Sequence, residues 1–336
     1  MKLFKYIGLT LAACSCLQFA SAQQAAKLKA YVQVPGGKPA PMELERGDGK
    51  GSFFYMVKGT DQLMTASAAS CKLFYIITPA EMGNALRDYY GGETAEARKQ
   101  FAAIKKKYAA FAGLPGSPCT QSALHELTCA VRMLDFPAVK TLAASIPGVD
   151  SLQGSDAARV AAAKIAGMIT DTPDSLAAIQ GAIDALKKDS KLYRDVDTEA
   201  YSWLCYALGR AHAAQVPAEQ LSGTIADDKK KAASDAVDCY CQAVMSSHGA
   251  QKSLPADALN RALGLLWAMP GVKEAAAKSP APMDKAAWAK APADLKDAAA
   301  MARYFKMMYD SENAGELVNK IDAYYFNAKE GTGKGD

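Results

Sequence analysis

The chain has 336 residues, half of them hydrophobic, with 39 basic against 35 acidic side chains and a net charge of +4. That length suits one large domain or two modest ones, and the apolar share is enough for a sizeable core. A balance this close to neutral argues against the clustered basic face of a nucleic-acid binder, while the abundant alanine favours closely apposed helices.

Lys2 and Lys5 precede an apolar run from Tyr6 to Phe19, interrupted by Gln18, which leads into Ala20-Ser21-Ala22. A short positive region, an apolar stretch and small residues before Gln23 form a secretory signal peptide over 1–22. The run is shorter than the roughly 20 residues of a membrane span. Leu11-Ala12-Ala13-Cys14 offers a rival cut of lipoprotein type, in which Cys14 is lipidated. The expected location is periplasmic or extracellular, with membrane attachment only through Cys14. Removing Lys2 and Lys5 lowers the net charge from +4 to +2. Later alanine-rich stretches are too polar to span a bilayer; Val160 to Ile169, for example, contains Lys164.

A small β domain is expected over 27–78. Leu28 to Val34 alternates and ends at Pro35-Gly36-Gly37; Met42 to Glu45 alternates and stops at Gly47-Asp48-Gly49. Ser52 to Val57, Leu63 to Ala66 and Cys71 to Ile77 complete four or five strands. Period-two patterning between turn residues predicts hairpins, hence a small barrel or a twisted antiparallel sheet.

The pattern then changes to helices over 79–329. Thr78-Pro79-Ala80-Glu81 has the form of an N-cap, a first-turn proline and a capping-box glutamate, opening a helix that stops at Gly91-Gly92. Helices are predicted over 94–112, 117–134, 136–145, 155–169, 172–188, 196–214, 227–248, 256–267, 293–309 and 313–328, with an irregular stretch around Pro270-Gly271 and Pro280-Ala281-Pro282. The Gly/Lys-rich tail, 330–336, is expected to be disordered. Helices joined by brief turns form antiparallel hairpins, and hairpins that bury their apolar faces on one another form a solenoid.

Two of these hairpins resemble the tetratricopeptide repeat. In one, Gly92, Ala97 and Phe101 match the turn glycine, the close-contact alanine and the aromatic of the second helix, although the leucine–glycine pair of the first helix is missing around Leu86 and Tyr89-Tyr90. In the other, Leu208-Gly209 matches that pair, His212 stands where an aromatic is usual, and Ala236, Tyr240 and Ala243 match the second helix; an insertion around Gln215 to Asp228 lengthens its turn. The resemblance implies helical-repeat architecture and peptide or protein binding.

Catalytic signatures are scarce. His125-Glu126-Leu127-Thr128-Cys129 falls one histidine short of a metalloprotease motif, and His125 and Cys129 share a helix face without a visible third ligand. His212 reads as a packing residue and His248 as a cap-region residue before Gly249. Ser117 reads as an N-cap, Arg46-Gly47-Asp48 as a turn, and the runs Lys105-Lys106-Lys107 and Lys229-Lys230-Lys231 as solvated helix faces. No nucleophile elbow, phosphate loop or dinucleotide fingerprint occurs, so no catalytic residue, metal or cofactor is expected. Six cysteines follow Ala22, and export permits disulfides. Equal spacing from their turn sets Cys205 near Ala236, so either Cys239 or Cys241 could bridge to it; residues two apart on a helix point to nearly opposite sides. The alternative is that all are small buried thiols.

The favoured reading is a non-enzymatic, exported protein- or peptide-binding or scaffolding protein of the bacterial cell envelope. Tyr193, Tyr201, Trp203 and Tyr206 are candidate anchors on its binding surface, against the simpler reading that most of them are core. A hydrolase with an unrecognised site, or a carbohydrate-binding or structural protein using the β domain, are the alternatives.

Overall fold

The computed structural model describes residues 26–57, 59–247, 252–279, 281–309 and 315–326. The expected leader over 1–22 with Cys14, His248 and the tail over 330–336 lie outside these residues.

All five predicted strands form: β1 (Leu28–Gln33), β2 (Ala40–Gly47), β3 (Ser52–Met56), β4 (Leu63–Ser67) and β5 (Leu73–Ile76). They make one antiparallel sheet in the order β4-β3-β2-β1-β5. Since β4 and β5 stand at opposite edges, the sheet is open, and the barrel alternative is not adopted. Alternation decides the faces. Leu28, Ala30 and Val32 are buried while Lys29 and Tyr31 point outward. Register carries the same face across the sheet, pairing Leu28 with Leu44 and Ala30 with Ile76. The Arg46-Gly47-Asp48 tripeptide is a turn, as expected: Asp48 accepts from the backbone N–H groups of Lys50 and Ser52.

Two helices cover the buried face, α1 (Ala80–Gly91) and α2 (Thr94–Lys107). One hydrophobic cluster joins Leu28, Leu44 and Phe53 of the sheet to Tyr89 and Phe101 of these helices. The start of α1 differs from expectation. Pro79 is its N-cap residue, and no side chain caps it. Glu81 instead accepts from Lys107 (2.5 Å) and the Tyr108 hydroxyl (2.8 Å), and the Lys107 ammonium holds its carboxyl down to about 2. The predicted second helix is also shorter. After Tyr108 the chain tightens into a 3-10 turn, Ala109–Phe111, which buries Phe111 under the sheet. At Gly113 (φ +81°) any side chain would collide with the Gly49 carbonyl, 2.4 Å from a Cβ, so glycine is required where these two loops touch.

Next comes α3 (Pro118–Arg132), opened by Pro118 and capped by Ser117, whose hydroxyl accepts from the Cys119 N–H. It is buried almost all round. Cys119 and Cys129 face the sheet-side cluster, while Leu124, Leu127 and Val131 face a second, larger one. A helix buried on almost every side belongs between two layers.

The rest of the chain is helical: α4 (Phe136–Ala144), α5 (Gly154–Ala166), α6 (Ser175–Lys188), α7 (Ser190–Arg194), α8 (Thr198–Ala213), α9 (Ala218–Ser222), α10 (Asp227–Ser246), α11 (Ser253–Ala268), α12 (Val272–Lys278), α13 (Lys285–Lys290), α14 (Ala293–Met308) and α15 (Glu316–Asp322). The molecule is therefore mainly helical with an N-terminal five-stranded antiparallel sheet. Packing runs chiefly between neighbours in the chain: α3 on α4, α4 on α5, α5 on α8, α8 on α10, α10 on α11, α11 on α14, and α14 on α15. Four short helices, α7, α9, α12 and α13, sit where the sequence predicts only loops. The tightest approach is between α8 and α10. A Cβ on Gly209 would stand 2.8 Å from the Tyr240 ring, so Tyr240 lies flat against the bare backbone of α8.

The lysine runs are only partly solvated. Lys105 pairs with the buried Glu126 at 2.6 Å and Lys107 with Glu81, tying α2 to its neighbours, whereas Lys231 pairs locally with Asp235 on an exposed face. No described helix is long and apolar enough to cross a membrane.

Candidate functional site: an apolar groove with an acidic end

Helices α10 and α14 both lie on α11, and the space between them is a groove of about 500 Å³. Leu259 and Leu266 of α11 form its floor. One wall is Val237, Asp238, Cys241, Val244 and Met245 of α10; the other is Asp297, Ala300, Met301 and Tyr304 of α14. Each wall repeats at i, i+4 and i+7, the spacing that lines up one helix face. On α14 this is a second stripe, since Leu295, Ala298, Ala302 and Phe305 form its buried one. Met245 is 78% exposed, and Met307 and Met308 extend the apolar surface beyond Tyr304.

Asp238 and Asp297 are the groove's charged residues. Asp238 stands on the α10 wall and Asp297 on the α14 wall, and burial pushes the Cys241 thiol between them up. Several acids elsewhere on the helices are paired: Glu199 with Arg132, Asp197 with Arg159, Asp171 with Arg210, and Asp322 with Arg303 and Lys306. Among the described residues, neither Asp238 nor Asp297 has an ion-pair or hydrogen-bond partner.

The aromatic anchors read from sequence lie elsewhere. Trp203 and Tyr206 are 0% exposed and belong to the core, so they present no surface. The reason is that α8 is covered by α5, α6 and α10 together. Tyr206 stacks on Phe136 at 5.8 Å, and its hydroxyl donates to Asp257 and accepts from Arg210. Tyr193 and Tyr201 are half-buried and pack against the same core. The Tyr201 hydroxyl is pushed up to about 12, first by the neighbouring Cys205.

All six cysteines after Ala22 are thiols. Cys239 is the one turned toward α8: its Cβ is 3.3 Å from where a Gly209 side chain would begin, and burial, with Cys205 second, pushes its thiol up to about 12. Cys205 donates weakly to Gln242 at 3.7 Å. Cys241 points the other way, into the groove, as the two-residue offset requires.

His125 lines a cavity of about 190 Å³ beside Thr78, Met82 and Gln121, and it is the one titratable residue there. Its ring stacks on Phe101 at 4.8 Å and meets the edge of Tyr89 at 5.1 Å. Burial lowers its pKa to about 4, and Nδ1 is buried without a partner. Burial also pushes the Cys129 thiol up to about 12. Among the described residues no three His, Cys, Asp or Glu side chains stand close enough to share a metal ion. His212 is half-buried and its pKa is lowered by burial. On the outer sheet face, Tyr31 and Tyr75 are paired across β1 and β5 and are 46% and 58% exposed. They line none of these cavities.

Sequence reasoning missed the groove. The signal was present in α14, whose methionines and Tyr304 repeat at helical spacing opposite a complete buried stripe.

No protein-family model, curated protein or solved structure matches the chain.

Proposed function

We propose that this chain is an exported, non-enzymatic binding or scaffolding protein of the cell envelope, built as a tetratricopeptide-like helical-hairpin solenoid that holds a protein or peptide partner. The groove over α11 carries the reading. It is concave, mostly apolar and walled by two helix faces on which Met245 and Tyr304 stand exposed among the described residues, and apolar grooves of that kind mark interaction surfaces. Neighbour-to-neighbour packing supports the solenoid, as does the seat of Tyr240 on Gly209, a small residue that lets two helices close up around an aromatic. The left-handed Gly92 after α1 and the fully buried Ala97 and Phe101 support a second hairpin of the same kind. Export rests on the signal-peptide pattern of residues 1–22, with Cys14 as the lipid-anchored variant of the same location.

The test expresses the full chain in a bacterial cell. The mature protein is expected in the envelope fraction with residues 1–22 removed, retaining there a partner that Met301→Glu fails to retain while its thermal unfolding is unchanged. Recovery in the cytoplasm with the leader intact would remove the envelope assignment. Equal retention by the native and Met301→Glu proteins would remove the groove.

A further inference from the structure

We infer that the occupant of this groove is an amphipathic helix whose apolar stripe ends in lysine or arginine side chains; the inference rests on the binding function proposed above. Three features point to it. The walls and floor are helices whose backbone groups are already hydrogen-bonded to one another, so the groove offers no edge to an extended peptide. A strand laid there would leave its own N–H and C=O groups unpaired against apolar side chains, each a substantial cost. A helix arrives with those groups satisfied and presents only side chains, which interdigitate with ridges at i, i+4 and i+7.

The length also fits. Asp238 and Met245 on one wall, and Asp297 and Tyr304 on the other, are each two turns apart, or roughly 10 Å of helix axis. Such a groove grips two to three turns, with Met245 and Met301 able to adapt their shape to the side chains that enter.

The third feature is charge. Asp238 and Asp297 line opposite walls of the one groove and have no cationic partner among the described residues. A cation on the partner is attracted to the carboxylates of both walls, and this fixes the direction in which its helix lies. The recognition element is therefore an apolar stripe of two to three turns with a basic end, laid so that this end meets the two aspartates.

The experiment titrates the full mature chain into two fluorescently labelled helical peptides of roughly 18 residues, about 27 Å long. Both carry the same leucine stripe, ending in lysines in one and in glutamates in the other; binding is read by anisotropy at low and at physiological salt. The lysine peptide is expected to bind at least about tenfold tighter at low salt, with an advantage that shrinks as salt rises. Asp238→Asn combined with Asp297→Asn should erase that advantage, and both substitutions lie on exposed helix positions. Equal binding of the two peptides, or tighter binding of the glutamate peptide, overturns this inference and leaves the groove standing. Binding of neither peptide overturns it together with the function on which it rests.

Discussion

His125 shows what a single residue gains and loses by its surroundings. Between Phe101 and Tyr89 the imidazole is largely buried, and the nearby Arg159 and Arg132 guanidinium groups disfavour a further positive charge. Folded, the ring resists protonation until about pH 4, whereas in an unfolded chain it takes up a proton near 6.5. Between those values the unfolded state binds more protons. The contribution of the neutral ring is therefore complete above pH 6.5 and is lost as pH falls toward 4, by about 3 kcal/mol. Urea unfolding of the native chain at pH 7 and pH 4.5 should show this loss, and His125→Gln should show a smaller one. Equal losses in the two proteins would mean that the ring is hydrated. The same dryness keeps the neighbouring Cys129 a thiol.

At the scale of helices, Gly209 and Gly264 make a matched pair, one on α8 and one on α11. A methyl group on Gly209 would meet the Tyr240 ring at 2.8 Å, and that ring is fully buried and cannot swing aside. Gly209→Ala should therefore cost about 1–3 kcal/mol through overpacking. Around Gly264 nothing lies within 4 Å of the added methyl. Gly264→Ala should stabilise by about 0.5–1 kcal/mol, because alanine is the better helix former. Calorimetric melting of the two variants checks the contrast, and a Gly209→Ala protein as stable as the native chain would show that α8 and α10 do not meet as described. Two ion pairs between helices distant in the chain, Arg132 to Glu199 and Arg159 to Asp197, hold α3 and α5 to the start of α8. Breaking one would leave a half-buried charge alone, which is the costlier state.

At the scale of the whole molecule, the described residues form two hydrophobic clusters that meet along α3. One joins the sheet to α1 and α2, and the other runs through the remaining helices. Since contacts pass mainly between chain neighbours, damage in one cluster should stay largely local. Phe101→Ala removes a fully buried ring from the sheet-side cluster at a cost of about 3–5 kcal/mol. Native-state hydrogen exchange should then quicken over β1 to α2 and change little over α8 to α11. Uniformly faster exchange would indicate a single cooperative unit instead.

The local codes of the chain were enough for the strands and the long helices. Alternation in Leu28–Gln33, the Pro118 and Pro137 helix starts, the Ser117 cap and the left-handed Gly92 are decided within a few residues, by backbone sterics and hydrogen bonding that distant contacts reinforce. The sites were harder to see because a side chain's exposure is not a local property. Trp203 and Tyr206 carry the composition of binding anchors, yet three helices close over them. Met301 and Tyr304 look like ordinary helix residues, yet their stripe is left open because α14 packs on α11 through its other face. Which of two apolar stripes is covered depends on how helices far apart in sequence come together, and packing settled that choice where periodicity could only register that both stripes exist.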